Sequence, residues 1–194
     1  MRTMKSRSLT TTAILFSILM AGSFAQAAKL EAATGSTATF EAVGKPALMK
    51  IQGKGATVEG SVDVAEKSAA GEFKIDLSKF TTGIETRDSH MKEKYLEVQK
   101  FPTATLKVES VVLPEGWKVG TELKDAVFTG QLTLKDVAKP IEGKVSVSAG
   151  DLSAKASFTM KISDYPSLGV PKYMGITVAD NVNVQVDIPK FTRK

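Results

Sequence analysis

The chain has 194 residues, 42% of them hydrophobic, with 26 Lys and Arg against 21 Asp and Glu and no cysteine. That length suits one domain able to bury its own core, and the missing cysteines exclude a disulfide framework, thiol nucleophiles and thiolate metal sites. The formal charge of +5 rests partly on three basic residues at the start, and the other lysines are scattered singly between acids, which argues against nucleic acid as a partner.

Those three residues, Arg2, Lys5 and Arg7, precede a short apolar run from Leu9 to Phe24, followed by the small residues of Ala25-Gln26-Ala27. A basic start, a short apolar stretch and a small-residue cleavage site predict a secretory signal peptide over 1–27, cut between Ala27 and Ala28. The run is shorter than the roughly 20 apolar residues that a membrane span needs, and Thr and Ser interrupt it. Losing the leader takes 26 Lys and Arg to 23 against 21 acids, a net charge of +2. The expected mature protein, residues 28–194, is therefore exported to the periplasm or secreted, without a transmembrane span.

From Ser36 onward, apolar and polar residues alternate. Ser36 to Val43 predicts a strand, Gly44-Lys45-Pro46 a turn, and Ala47 to Gln52 a short second element before Gly53-Lys54-Gly55. In Ala56 to Val64, Val58, Gly60, Val62 and Val64 alternate with Glu59, Ser61 and Asp63; Glu72 to Leu77 repeats the pattern. Period two marks a sheet with one dry and one wet face. Further strands are expected over Thr103–Val112, Ala126–Leu134, Ile141–Ala149, Leu152–Ile162 and Asn181–Ile188, with turns at Lys135-Asp136 and Gly150-Asp151. About eight or nine strands joined mostly by short turns, with no βαβ alternation, predict one antiparallel barrel or sandwich, and the scarcity of edge-protecting devices favours the barrel.

One stretch breaks the pattern. Thr82-Gly83 signals a turn, Asp88 or Ser89 is placed to cap a short helix, and Met91, Tyr95 and Val98 fall at helical spacing before Phe101-Pro102 ends the segment. The single histidine, His90, follows Arg87-Asp88 within it. One histidine and no cysteine cannot build the usual zinc site, Ser89 and His90 are neighbours pointing apart on a helix, and an ion pair at a helix start explains Arg87 and Asp88 more simply than acid–base chemistry. No glycine-rich phosphate loop is present. The residues thus argue against an enzyme and require no cofactor or metal. Small inward candidates (Gly60, Ala104, Gly130, Gly143, Ala154, Ala156) beside large ones leave room for a guest, although patterning alone keeps a solidly packed core as the commoner outcome.

Thr82-Gly83, Arg87-Asp88-x-His90 and Phe101-Pro102, together with the later GQLTLKDVAKPI from Gly130 to Ile141 and the tail FTMKISDYPSLGV…NVNVQVDI, resemble the exported YceI-like proteins over nearly the whole mature chain. The chain departs from that pattern at Asp136 and Ala138 and in its first strands. The resemblance implies a lipocalin-like up-and-down barrel of about eight strands with one short helical insertion. It also implies a long-chain lipid or isoprenoid held inside it, as carrier or store. Arg87 and His90 are then expected at the polar end, with Asp88 holding Arg87. Met91, Tyr95 and Phe101 are expected at the apolar lip, and Phe73, Leu106, Phe128, Phe158 and Met160 along the wall. The alternative is an envelope interaction module with a filled barrel, and a paired dimer stays open beside a monomer.

Overall fold

The computed structural model describes residues 28–46 and 49–194, with only the backbone at Tyr173. The expected leader over 1–27 lies outside the described residues. The alternating stretches become β1 (Ala28–Ala32), β2 (Thr37–Lys45), β3 (Met49–Val64), β4 (Ser68–Asp76), β5 (Thr103–Val112), β6 (Leu123–Leu134), β7 (Val137–Val147), β8 (Ala154–Lys161), β9 (Lys172–Tyr173), β10 (Ile176–Ile188) and β11 (Phe191–Arg193). β2 to β8 pair antiparallel in sequence order, β8 pairs β10, and β10 returns to β2 from Thr177↔Lys45 to Asp187↔Thr37. The result is a closed eight-stranded barrel, which leaves no free edge among those strands. The expected up-and-down barrel is the fold observed.

Period two explains the core. Phe73 and Ile75 of β4, Ala104, Leu106 and Val108 of β5, Phe128, Leu132 and Leu134 of β6, and Val182, Val184 and Val186 of β10 are all buried. Their polar neighbours face water.

Several expected boundaries move. The elements expected at 47–52 and 56–64 are one strand, β3. Gly55, at φ +94°, bends that strand instead of ending it: Ala38 faces Ala56 and Phe40 faces Gly53, so β3 carries one extra residue at the bend. Pro140 lies within β7 instead of opening it, and β10 starts at Ile176, five residues before the expected start at 181. Ahead of the first expected strand, β1 pairs with the end of β3 and with β11, so this three-stranded patch extends the wall at one end of the barrel. The turn at Lys135-Asp136 is as expected: Leu134 faces Val137, and both central residues are left-handed at φ +48° and +60°.

The helical insertion runs from Glu85 to Ser89 and continues as a π-helical turn from His90 to Tyr95. Neither Asp88 nor Ser89 caps it. The N-cap position is Ile84, which makes no side-chain cap, and the Asp88 N–H already donates to the Ile84 carbonyl at 2.9 Å.

Candidate functional site

At the end of the barrel opposite β1 and β11, the strands enclose a cavity of about 510 Å3. Its walls are apolar: Phe40, Ile51, Ile75, Ala104, Leu132, Phe158, Met160 and Val184 belong to the lining. Polar groups, Thr82, Arg87, His90, Tyr95 and Lys172, come only from the helical lip and from the segment before β10. A second space of about 100 Å3 lies deeper, against Phe73, Leu106, Phe128 and Phe191. Between the two, Phe128 and Phe158 meet edge to face with ring centroids 6.3 Å apart, and within the deeper space Phe73 meets Phe191 likewise at 6.4 Å. The large cavity thus has an aromatic floor.

The lip is fixed from below by Thr81 and Thr82. Thr81 exchanges backbone hydrogen bonds with Lys54 of β3 at 2.8 and 2.9 Å. The Asp88 carboxylate accepts from the Thr81 hydroxyl, and from the backbone N–H and hydroxyl of Thr82. Arg87 donates from Nε to the Thr82 hydroxyl at 2.8 Å and from Nη2 to the Thr82 carbonyl at 2.9 Å. Asp88 therefore does hold Arg87, but through the Thr82 hydroxyl, which accepts from one charge and donates to the other. Burial works against the Asp88 charge, yet the hydrogen bonds from Thr81 and Thr82 outweigh it and keep the carboxyl below its usual range.

The other side of the mouth is held by Lys135 and Tyr95. The Lys135 side chain is only 3% exposed. Its ammonium donates to the Tyr95 carbonyl at 3.1 Å, Glu97 Oε1 at 2.7 Å and the Ser167 carbonyl at 2.8 Å, which uses all three protons. That bond is the main reason the Glu97 carboxyl sits below its ordinary range. The Tyr95 hydroxyl accepts from the Lys172 N–H at 2.8 Å and donates to the Lys172 carbonyl at 3.1 Å. Tyr165, fully buried, donates to the Leu132 carbonyl at 2.9 Å. Burial, with Asp164 beside it, pushes this phenol up to about 12.

Of the residues singled out by sequence, Arg87, His90, Met91, Tyr95, Phe158 and Met160 come together on the large cavity. Phe73, Leu106 and Phe128 line the deeper space instead. Phe101 belongs to neither lining. It is half-buried, with its ring 6.0 Å from the Lys135 ammonium. The π-helical turn, closed by Leu96 N–H to the Met91 carbonyl at 2.9 Å, turns Leu96 into the cavity, and Glu97 at φ +50° then reverses the chain before Phe101. Phe40 and Phe80, edge to face at 5.1 Å in the same wall, were not singled out. Phe40 is an apolar member of an alternating strand, whereas Phe80 follows a short helical turn whose facing no periodicity reports.

A family model described as the YceI-like domain matches residues 24–189. The chain belongs to the YceI-like family. Among solved structures, the polyisoprenoid binding domain from Saccharophagus degradans implicated in plant cell wall breakdown is similar at a TM-score of 0.61 and 19% identity, over 87% of this chain and 99% of that one. BcnA of Burkholderia cenocepacia is similar at 0.60 and 21%, over 78% and 94%. At these identities the likeness is one of fold. No curated protein matches the chain significantly. In this YceI-like barrel the Arg-Asp-x-His segment thus has two physical roles: Arg87 and Asp88 clamp Thr82, and Arg87 and His90 border the cavity.

Proposed function

We propose that this chain is an exported protein that holds the hydrocarbon part of one long amphiphile inside the barrel, as carrier or store. The guest would be a polyisoprenoid, an isoprenoid quinone or a fatty-acid derivative. Residues 1–27 would be its leader and 28–194 the mature binding domain. The observation that carries the reading is the cavity of about 510 Å3 with apolar walls and polar groups confined to its mouth. That size falls within the roughly 300–1,000 Å3 of small-molecule sites, and a filled scaffold would have no such space. Each methylene brought in from water contributes about 0.8 kcal/mol, so ten carbons give about 8 kcal/mol before the ordering costs. Arg87, His90 and Lys172, which border the cavity, would meet the polar head group. The similarity to a polyisoprenoid binding domain adds support.

Solvent extraction and mass spectrometry of the purified mature protein test the reading. A stoichiometric apolar chain, or uptake of one on addition, is the expected result. A protein that repeatedly neither carries nor takes up any such chain would sink it.

A further inference from the structure

Among the described residues, six large apolar side chains are exposed; three of them, Met49, Ile84 and Met174, line the mouth of the cavity, and a fourth, Val170, precedes the lining residue Pro171. Met174 is 84% exposed. It occupies the first central position of the two-residue turn between Tyr173 and Ile176, with φ +48°, and Gly175 follows at +79°. Such a turn favours Asn or Asp there, and a long apolar residue in left-handed backbone, aimed at water, serves neither turn nor core. Charge is uneven in the same sense. The segments around the mouth, 44–46, 49–54, 77–102, 134–139 and 161–180, carry twelve Lys and Arg against seven Asp and Glu. The segments around the opposite end, 28–36, 61–70, 111–126, 147–153 and 188–194, carry seven of each.

We propose that the open end of the barrel docks on an anionic lipid bilayer. The collar of Met49, Ile84, Val170 and Met174 enters the boundary between head groups and acyl chains, while Lys45, Lys50, Lys92 and Lys172 meet the head-group phosphates. An apolar rim supplies depth and a basic surround supplies attraction, the pairing by which peripheral proteins lie on membranes. Docked in this way, the mouth opens directly onto the acyl layer, so a guest passes between bilayer and cavity without crossing water. The inference rests on the carrier reading for its purpose, but the collar and its charge stand apart from it.

Co-sedimentation of the mature protein with vesicles of phosphatidylglycerol and phosphatidylcholine, set against phosphatidylcholine alone, tests the proposal. The expected result is binding to the anionic vesicles that weakens with added salt. Met174→Asp should weaken it roughly tenfold or more through the lost apolar burial; Asp is at home in the left-handed turn, so the fold is kept. Lys50→Glu with Lys172→Glu should weaken it by at least as much. Val112→Asp, at an exposed site away from the mouth, should leave it unchanged. Absence of any preference for anionic vesicles overturns the proposal, as does binding indifferent to Met174→Asp. A dimer that Met174→Asp abolishes, without vesicle binding, assigns the collar to a second copy and also overturns it. Uptake of a fluorescent fatty acid from solution, measured in parallel, separates the two readings. Uptake without docking overturns only the docking, and docking without uptake overturns only the carrier.

Discussion

The Thr82 hydroxyl stands between Arg87 and Asp88, accepting from one and donating to the other. Such a relay polarises both bonds, and removing its centre leaves each charge one partner short. Thr82→Val keeps the volume and removes the relay, so it should cost about 1 kcal/mol, which at this chain length lowers Tm by about 2–4 °C. Asp88 adds a pH dependence. Its folded pKa lies below the ordinary 3.8, so its stabilising contribution is complete above that value and is lost as pH falls through the folded pKa. The stability deficit of Asp88→Asn should therefore be present at neutral pH and shrink below pH 3.8, which denaturant titrations across that range would show. A deficit that grows on acidification would contradict the assignment. Lys135 makes a sharper case, because its three acceptors come from two segments outside its own hairpin. Lys135→Met preserves the packing but leaves the Tyr95 and Ser167 carbonyls and Glu97 without their donor, at a cost of about 2 kcal/mol. Amide exchange should rise around 95–97 and 165–168 while the barrel strands stay protected. A uniform rise would mean that Lys135 supports the whole barrel and not the mouth.

At the scale of the element, the glycines expected to leave space inside do something else. A Cβ at Gly60 would lie 2.2 Å from the Glu72 carbonyl oxygen and 2.6 Å from the Phe73 ring, and one at Gly143 would lie 2.6 Å from the Phe128 ring. Phe73 and Phe128 fill those positions from the neighbouring strands, so the glycines seat the aromatic rings that wall off the deep end. Gly143→Ala should therefore destabilise the barrel by about 1–3 kcal/mol through overpacking, seen as a lower midpoint in urea with an unchanged slope. The same elements show why the sequence is readable in some places and silent in others. Strands with five or more alternating residues, such as Leu152 to Ile162, announce both their type and their dry face. β1 and β11 contribute one buried anchor each, Leu30 and Phe191, and one apolar residue makes no period. Gly53-Lys54-Gly55 looks like a turn because glycine permits one, but here it permits a bend. The lip was legible as a break in alternation, and four of its five marked residues do line the cavity. Phe101 does not, because the π-helical turn and the left-handed Glu97 end the helical phase before it. Lys135 had no local signal at all: a lysine in a tight turn reads as solvated, and its acceptors lie 32 to 40 residues away in sequence.

The molecule as a whole is a barrel with two unlike ends. Strands β1 and β11 extend the wall at one end, where Leu30 and Phe191 line the deeper space, and the contact of Phe128 with Phe158 limits how far a guest could descend from the other. Space and chemistry are thus separated along one axis, with apolar volume in the middle and polar groups above it. Ala104 is the place to test whether that volume is the binding site. It is a small buried residue on the cavity wall, opposite Ile75 in register and next to β6. Replacing it with phenylalanine fills part of an existing void instead of forcing a packed core apart, so the overpacking cost is avoided and Tm should hold or rise slightly. Occupying the wall should meanwhile reduce uptake of an apolar chain by at least tenfold, since each methylene denied its place forfeits about 0.8 kcal/mol. Thermal unfolding and extraction of bound lipid from the same preparation of Ala104→Phe give both quantities. A folded variant that carries its lipid undiminished would place the guest outside the barrel.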